Sequence, residues 1–428
     1  MLADTPPVGG RIRAEAEDFH VTEVPLYNFC GRGEHLYLTI TKTNRTTLQI
    51  VDYLAKNLRI QTLQIGFAGF KDKRAVTQQT FSIQGAKEED VRPLDAPWMR
   101  IDAITYHKNK LRAGHLSANR FRIKVRDAEA GSLPRAQAMV AELRRIGVPN
   151  FYGPQRFGRF GDSHRIGRAM LHRNPQEVAD VLMGPRPEAP EPFRDLYAAG
   201  HYAQALEELP LGRPTEAAML HCLRRQPGNF RAAVRRIPRE MRRMYFSAYQ
   251  SYLFNWALRE RLEAGREALS TVEVGDLAYI HTKGACFLVT PDELADSQER
   301  AAQHEISPSG PIFGRKMTFA EGRPGEFENS ILATEGMRPK SFLSHVKGLH
   351  LDGSRRTFRV PVKDVEVVEE IEDDEGTSLV FSFTLPPGSY ATMLLEEVMG
   401  EGRTRPPRLD VEEPGAQSVA ELGAESEE

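Results

Sequence analysis

One short segment of the chain combines residue types that could do chemistry. Residues 66–80, GFAGFKDKRAVTQQT, hold a single carboxylate, Asp72, with Lys71 on one side and Lys73 and Arg74 on the other. Positive charge on both sides favours the ionised form of a carboxyl group. An ionised carboxylate suits a nucleophile better than a proton donor. The segment is therefore either a nucleophilic site or a solvated cluster of surface charges.

Other chemistries fit this segment less well. Gly66 and Gly69 are too close together for a phosphate-binding loop, which needs four residues between its glycines and then Lys followed by Ser or Thr. A glycosidase needs two carboxylates flanking the bond. No second acid lies close to Asp72 in the sequence, although a distant partner stays open. The three widely spaced cysteines form neither a disulfide framework nor a metal-ligand pattern, so we expect no metal site.

Composition and charge narrow the class of protein. A length of 428 residues predicts two or three domains, and 40% hydrophobic residues are enough for a core. The formal net charge is −2, but residues 401–428 contain eight acids and three arginines, so residues 1–400 carry about +3. No apolar run approaches the eighteen or so residues of a membrane helix, and the first residues lack the apolar stretch of a signal peptide. We expect a soluble cytoplasmic protein with a disordered acidic tail at 401–428.

The elements that position the segment follow from hydrophobic periodicity. Leu36, Leu38 and Ile40 alternate with polar residues and predict a strand, and Thr46 or Thr47 can cap the helix that follows. Strand alternation returns at residues 379–385, after which Ser389 can cap a last helix. Strands and helices without regular βαβ alternation predict an α+β fold.

Two further stretches could contact nucleic acid. Residues 120–126, RFRIKVR, alternate apolar and basic side chains, so the basic face is either a solvated strand surface or a surface that follows phosphates. Residues 150–161 combine arginine, glycine and aromatic residues. They could bind RNA by stacking and charge, or form a hinge at a domain boundary.

Seven stretches in order carry a resemblance to a known family. They are EDFHVTE (17–23), GEHLYLTITK (33–42), GFAGFKDKRAVTQQ (66–79), HKNKLRAGHLSANRF (107–121), VPNFYGPQRFG (148–158), SAYQSYLFN (247–255) and LPPGSYATMLLEE (385–397). Over residues 11–400 this series resembles the TruD family of transfer-RNA pseudouridine synthases, and the motif around Asp72 is highly specific for it. The resemblance implies a pseudouridine-synthase catalytic domain with an antiparallel sheet, at 1–150 and 346–400, interrupted by an inserted family-specific (TRUD) domain at 151–345.

The resemblance also implies an activity and a set of site residues. The family isomerises uridine to pseudouridine in transfer RNA, here at uridine 13 of the D arm, without a metal, nucleotide or redox cofactor. Asp72 falls on the catalytic nucleophile. Residues at positions that contact the target uridine or assist the aspartate are Phe19, Asn119, Tyr390, Phe121, Arg13 and Lys71. Arg13 stands where the family more often has lysine, and Tyr390 where it often has phenylalanine.

Two other functions are consistent with parts of the sequence. A non-catalytic RNA-binding protein could retain the same scaffold, although the intact KDKRAVTQQ motif, Asn119 and Phe121 favour an enzyme. A nucleoside glycosidase would release free uracil instead of rejoining it. The sequence leaves open which transfer RNAs are modified, the covalent or glycal route of the reaction, the role of residues 175–245 and the oligomeric state.

Overall fold

A computed structural model describes residues 5–338, 342, 351–362, 364–374 and 376–400 of the chain. The described residues form two compact units: those of 5–152 together with those of 253–400, and 153–252. Both helices and sheets occur, which confirms the predicted α+β class. Compactness alone does not define an inserted domain, so the boundaries 1–150, 151–345 and 346–400 stay a prediction. The predicted tail at 401–428 and the junction at 345 lie outside the described residues.

The strands of the described residues are mostly short, and the longest, β7, crosses the middle of the main sheet. They are β1 (Gly9–Arg11), β2 (Phe19–Pro25), β3 (His35–Thr43), β4 (Ile65–Phe67), β5 (Val76–Gln84), β6 (Met99–His107), β7 (Leu116–Ala128), β8 (Val148–Pro149), β9 (Leu277–Ile280), β10 (Ala285–Leu288), β11 (Ile306–Ile312), β12 (Ser354–Thr357), β13 (Arg359–Val360), β14 (Glu366–Asp373) and β15 (Gly376–Leu385).

Some helices lie between these strands in the sequence. Helices α4 to α10 follow one another without an intervening strand among the described residues. The helices are α1 (Thr47–Leu58), α2 (Glu88–Val91), α3 (Leu133–Ile146), α4 (Ser163–Leu171), α5 (Pro175–Met183), α6 (Pro192–Ala198), α7 (Tyr202–Glu207), α8 (Pro214–Arg225), α9 (Phe230–Val234), α10 (Arg239–Glu263), α11 (Leu294–Ala302), α12 (Gly322–Thr334) and α13 (Ala391–Met399). None of the described helices combines the length and the apolar character needed to cross a membrane.

A nine-stranded sheet dominates the first unit. Its order is β14-β15-β7-β2-β5-β3-β6, with β1 paired to β7 and β4 paired to β5. All of its pairings are antiparallel except that of β2 with β5, which is parallel. The predicted antiparallel sheet is therefore confirmed, with one parallel pair at its centre. This pairing places the start of β2 next to the start of β5. Strand β5 begins at Val76, shortly after Asp72 in the same segment.

Two helix-covered cores lie against one face of this sheet. Under α3 and α13, the core contains Phe19, Phe121 and Ile123 from the central strands. Under α1, a second core contains Leu36, Leu38 and Ile40, which confirms the strand predicted from their alternation. The α1 helix begins after Thr46, whose side chain accepts a hydrogen bond from the backbone N of Gln49 at 3.2 Å, the capping that the sequence predicted. The Asp72 segment emerges between these two cores.

Two details near the end of the described chain, the cap of α13 and the strand β14, differ from prediction. The residue that caps α13 is Tyr390, not Ser389, and its side chain makes no capping hydrogen bond. Ser389 instead donates its backbone N–H to the Pro386 carbonyl in the preceding turn. Strand β14 was not predicted because its sequence, EVVEEIED, is rich in acids. It lies at the end of the sheet path, where charged side chains face solvent and discourage pairing with other chains.

The second unit is helical in its described residues. Helices α4 to α9 and the first turns of α10 surround a core that includes Met219, Leu220, Leu223 and Ile237. The proline-dense stretch 184–194 ends in the first turn of α6. Proline at the first helical position is compatible with a helix start because its missing N–H would have no partner there.

The two glycines of the Asp72 segment have different structural roles, which gives a first prediction. A Cβ atom on Gly66 would overlap the backbone oxygen of Leu111 and the Ser82 hydroxyl, whereas one on Gly69 would meet nothing within 4 Å. We expect Gly66→Ala to lower the free energy of unfolding by about 1–3 kcal/mol, because backbone cannot move aside cheaply. Gly69→Ala is the matched control and should change it by less than about 1 kcal/mol. Urea denaturation measures both, and equal values for the two variants would contradict the assignment.

Candidate active site

The loop that carries Asp72 is fixed by hydrogen bonds along its length. The Gln79 side chain donates to the Gly69 carbonyl, and the Lys71 backbone N donates to the Thr47 hydroxyl at 3.0 Å. That hydroxyl in turn donates to Gln79 Oε1 at 3.0 Å. The backbone N of Gly114 donates to the Ala68 carbonyl at 2.8 Å. The glutamine that ends the KDKRAVTQQ motif therefore holds the loop in place, which explains why an amide is needed there.

Asp72 is paired with Arg13. The Arg13 Nη2 atom lies 3.1 Å from Asp72 Oδ1, and the Asp72 side chain is 42% exposed. The Arg13 guanidinium also lies over the Phe19 ring, with its central carbon 4.4 Å from the ring centroid. Arginine stays protonated, so this contact places a permanent positive charge beside the carboxylate. The exposure of the Asp72 side chain leaves the carboxylate accessible to a substrate. The cation at Asp72 predicted from the sequence is thus Arg13.

Lys71 points away from this pair into the protein. Its Nζ atom lies 2.7 Å from Glu23 Oε2 and donates to Asn119 Oδ1 at 2.8 Å, and its side chain is only 4% exposed. Glu23 Oε1 accepts from the backbone N of Thr80 at 3.2 Å. Because lysine can only donate, Asn119 must present its oxygen to Lys71, which leaves the Asn119 NH₂ group as a donor for other groups. We refer to Glu23, Lys71 and Asn119 as the buried triad.

Lys42 lies beneath the backbone of Asp72. Its side chain is fully buried, and its Nζ donates to the Arg45 carbonyl at 2.6 Å and to the Asp72 carbonyl at 3.4 Å. Burial lowers the pKa of the Lys42 ammonium to about 8; the charge of Asp72 acts in the opposite direction, and that of Lys71 adds to the lowering. Lys42 therefore fixes the main chain at the candidate nucleophile and titrates close to neutral pH.

A group of packed aromatic rings begins at Phe19, the ring under Arg13. Phe19 and Phe121 meet edge to face with centroids 6.2 Å apart, and Phe121 stacks on Phe383 at 5.3 Å. Phe19 and Phe121 are both buried in the core under α3. Replacing Phe121 by alanine would leave a cavity that costs about 3–5 kcal/mol. Phe121 is thus a structural residue as well as a candidate for contact with a base.

Tyr390 is brought near the site by chain connectivity. Strand β15 ends at Leu385, which pairs with Asn119 on β7. The Pro386–Ser389 turn then leads to Tyr390, whose side chain is 39% exposed. Within the described residues Tyr390 makes no ring contact with Phe19 or Phe121. Contacts therefore link Asp72, Arg13, Phe19 and Phe121 in one group. A second group joins Lys71 to Asn119. Lys71 is connected to Asp72 as its neighbour in the chain, and Tyr390 is connected to the site only by its place in the chain.

The basic face of β7 lies on the other side of the sheet. Because side chains alternate along a strand, Asn119 and Phe121 face the candidate site, whereas Arg120 and Arg122 face away. The Arg122 guanidinium lies 2.8 Å from Glu369 Oε2, and Lys124 Nζ lies 3.9 Å from Asp373 Oδ2. Arg126 pairs with Asp18 and Glu15 at 2.9 and 3.0 Å. These pairs favour a solvated strand surface over a phosphate-binding one.

Comparison with known proteins supports the resemblance read from the sequence. The sequence model of TruD, described as tRNA pseudouridine synthase D, matches residues 1–398. The chain belongs to the TruD family of pseudouridine synthases. A tRNA pseudouridine synthase D from Geobacter metallireducens is 43% identical over 407 residues, covering 94% of this chain and 98% of the relative. One from Syntrophotalea carbinolica is 40% identical, covering 93% and 98%. The crystal structure of a TruD protein from Methanosarcina mazei superposes with a TM-score of 0.82 at 30% identity, covering 92% of this chain and 94% of that one.

Sequence reasoning missed two residues of the candidate site, Glu23 and Lys42. Each stands where the alternation of its strand calls for an apolar residue. Glu23 continues the buried series Phe19 and Val21 on β2, and Lys42 continues Leu38 and Ile40 on β3. A charged residue is almost never fully buried unless it is paired. A charge in the apolar register of a strand is therefore the signal that could have revealed both.

Lys42 gives a prediction about pH. The Lys42 pKa is about 8 in the folded protein and near 10.5 in the unfolded chain, so the unfolded state binds more protons between those values. The Lys42 contribution to the free energy of unfolding should rise between pH 8 and 10.5, by up to about 3 kcal/mol. In urea denaturation, the wild-type protein should gain stability over Lys42→Met across this range. A constant difference between the two proteins from pH 7 to 10.5 would show that Lys42 has an ordinary pKa.

The buried triad gives a prediction about catalysis and stability together. Glu23→Gln leaves Lys71 charged and unpaired, which should lower the free energy of unfolding by about 3–5 kcal/mol. Adding Lys71→Met removes that charge and should restore much of the stability. The activity of the double variant should stay on the order of a hundred-fold below that of the wild type, because nothing then orients the Asn119 amide. Single-turnover rates and urea denaturation separate the two effects, and full activity in the restored protein would show that the triad is only structural.

Proposed function

We propose that this chain isomerises uridine to pseudouridine in transfer RNA, at uridine 13 of the D arm, with Asp72 as the nucleophile. Membership of the TruD family supports the reaction class, and the names of the relatives support the substrate. The position in the RNA rests on the sequence resemblance. The cytoplasmic location expected from the sequence stays a prediction.

The observation that carries this proposal is the state of the Asp72 carboxylate. One oxygen is paired with Arg13 at 3.1 Å, and the side chain is 42% exposed. An ion pair this exposed contributes only about 0–1 kcal/mol to the stability of a fold. Stability alone therefore does not explain why the pair is present. A nucleophile needs both properties, a charge kept on its oxygen and room for the atom that it attacks. Asp72 thus presents an exposed carboxylate oxygen next to a permanent cation, which itself lies over the Phe19 ring.

The reaction is an isomerisation, so its bonds and protons balance without a co-reactant. The bond from N1 of uracil to C1′ of the ribose breaks, the base turns, and a bond from C5 to C1′ forms. The hydrogen on C5 leaves as a proton, and N1 gains one. Asp72 can serve by attacking C6 of the base or by acting at the sugar, and both routes need the same ionised oxygen.

The groups around Asp72 support the handling of a single uracil base. A uridine inside a folded RNA must be extruded before its glycosidic bond can be reached, at a cost of a few kcal/mol. Stacking on an aromatic ring offsets about 1–3 kcal/mol of that cost, a role that suits the half-exposed Tyr390. The Asn119 NH₂ group is available to donate to a uracil carbonyl. Lys71 acts on the base only through Asn119, since its own side chain is buried.

A test of the proposal is Asp72→Asn, which keeps the shape of the side chain and removes its anionic oxygen. We expect a folded protein that binds transfer RNA with near wild-type affinity and makes no detectable pseudouridine. Loss of a negative charge next to Arg13 should leave the attraction of RNA phosphates unchanged or slightly stronger. Tritium release from 5-tritiated uridine measures the chemistry, and a titration at one fixed salt concentration measures binding, because affinity depends on salt.

The matched control is Asp127→Asn. Asp127 also faces an arginine, Arg11, and its side chain is 48% exposed, but it lies outside the site. This control should release tritium at the wild-type rate. Near wild-type release by Asp72→Asn would remove Asp72 from the role of nucleophile. Wild-type protein that binds RNA without releasing tritium would instead indicate a non-catalytic RNA-binding protein, and free uracil among the products would indicate a glycosidase. Mapping pseudouridine in RNA from cells without this protein tests position 13.

A further inference from the structure

The basic charge of the chain is concentrated in the second unit. Residues 153–252 contain sixteen arginines, no lysine and ten acids, a net charge of +6. The rest of residues 1–400, which includes the Asp72 site, then carries about −3. RNA carries one negative charge per nucleotide, and neutralising phosphates supplies much of the affinity for nucleic acid. The net positive charge is therefore carried by the second unit, although exposed Lys73 and Arg74 lie beside Asp72 in the first unit.

Within the second unit, half of the arginines lie in one stretch of twenty residues. Residues 224–243 hold eight arginines and a single acid, Glu240. Six of these arginines are exposed and have no ion-pair partner among the described residues; we call them the arginine cluster. They are Arg224, Arg225, Arg231, Arg235, Arg236 and Arg243.

The arginine cluster is held together by the fold. Its members occupy the end of α8, the short helix α9, the connection after α9 and the first turns of α10. Only four residues separate α8 from α9, and four separate α9 from α10. Leu223, Ala233 and Ile237, which alternate with these arginines, are buried in the core of the unit. The packing of these apolar residues therefore turns the arginines outward on one continuous piece of surface.

Other arginines of the same unit are used differently. Arg186 pairs with Asp162, and Arg194 and Arg213 share Glu191. Their guanidinium groups also lie over the rings of Phe160 and Phe193. Each of these three arginines thus has a carboxylate beside it, and the arginine cluster does not. Uncompensated like charges repel one another and lower the stability of a fold, unless an anion binds there.

We propose that the arginine cluster binds the phosphate backbone of the RNA substrate. The exclusive use of arginine supports a phosphate partner, because the planar guanidinium matches the geometry of phosphate and donates two hydrogen bonds at once. A membrane surface fits less well, because the apolar side chains between these arginines are buried and are not available to enter a lipid layer. The proposal rests on the proposed function for its choice of RNA, and it assigns affinity, not chemistry, to this surface.

The test replaces Arg224, Arg225, Arg231 and Arg235 together by glutamine. Affinity for a transfer RNA transcript should fall about ten-fold or more near 0.1 M salt, and the slope of log affinity against log salt should flatten by roughly 0.7–0.9 for each phosphate that is no longer neutralised. The effect should appear in KM, with the single-turnover rate at saturating RNA retained. The melting temperature should stay equal or rise, because like charges have been removed. A second variant with lysine at the four positions keeps the charge and should keep most of the salt slope.

The matched control removes four exposed arginines that face carboxylates in the first unit. They are Arg92, Arg145, Arg315 and Arg323, paired with Glu88, Glu267, Asp352 and Glu273. The change in net charge is the same, but affinity and salt slope should stay near wild type. An equal fall in affinity in this control, or unchanged RNA binding in the cluster variant, would overturn the proposal. So would cluster-dependent binding to phosphatidylserine vesicles with RNA affinity unaffected. Cluster-dependent RNA binding by a protein that makes no pseudouridine would uphold this inference while refuting the proposed function.

Discussion

The ion pair between Arg13 and Asp72 is the interaction on which the rest of the site depends. It puts a permanent cation against the candidate nucleophile, with 3.1 Å between Arg13 Nη2 and Asp72 Oδ1. Arg13 supplies that cation and is itself held by the Phe19 ring at 4.4 Å. Its backbone adopts a φ of 61°, the left-handed region that non-glycine residues rarely occupy. Such a conformation persists only where surrounding contacts enforce it, so the fold accepts local strain to place this cation.

Further buried charges hold the Asp72 loop and the Asn119 amide in place. Glu23 and Lys42 occupy positions where apolar residues would pack better, and each is compensated by a specific partner. Replacing such buried pairs by apolar residues is often neutral or stabilising, so stability alone does not explain them. Their effect is geometric: Lys71 turns the Asn119 oxygen inward, and Lys42 fixes the carbonyl of Asp72. The buried face of the central strands is thus polar where it supports the loop that carries Asp72, and apolar elsewhere.

Local patterns in the sequence predicted the secondary-structure elements well. They predicted poorly which strands pair and which side chains meet. Alternation gave the strands around Leu38 and Ile123, and capping gave the start of α1 at Thr47. The parallel pairing of β2 with β5 could not be predicted, because it joins residues more than fifty positions apart and no spacing encodes it. The same limit applies to Lys71: its sequence neighbour is Asp72, but its charge is used by Glu23. Motif residues such as Asp72 and Asn119 were found through resemblance, whereas Glu23 and Lys42 emerge only when burial is known.

Several positive charges of the first unit are engaged inside the protein, and these cations are not available to RNA. Arg13 faces Asp72, Lys71 faces Glu23, Lys42 faces carbonyl groups, and Arg122 and Arg126 face carboxylates. Charges used in this way set the ionisation and geometry of the site, but they cannot also neutralise phosphates without disturbing it. The attraction of RNA therefore has to come from cations that are not paired inside the protein. A net charge of −2 over the whole chain conceals this separation. The separation also means that the affinity for RNA can change, through surface arginines, without altering the groups that perform the chemistry.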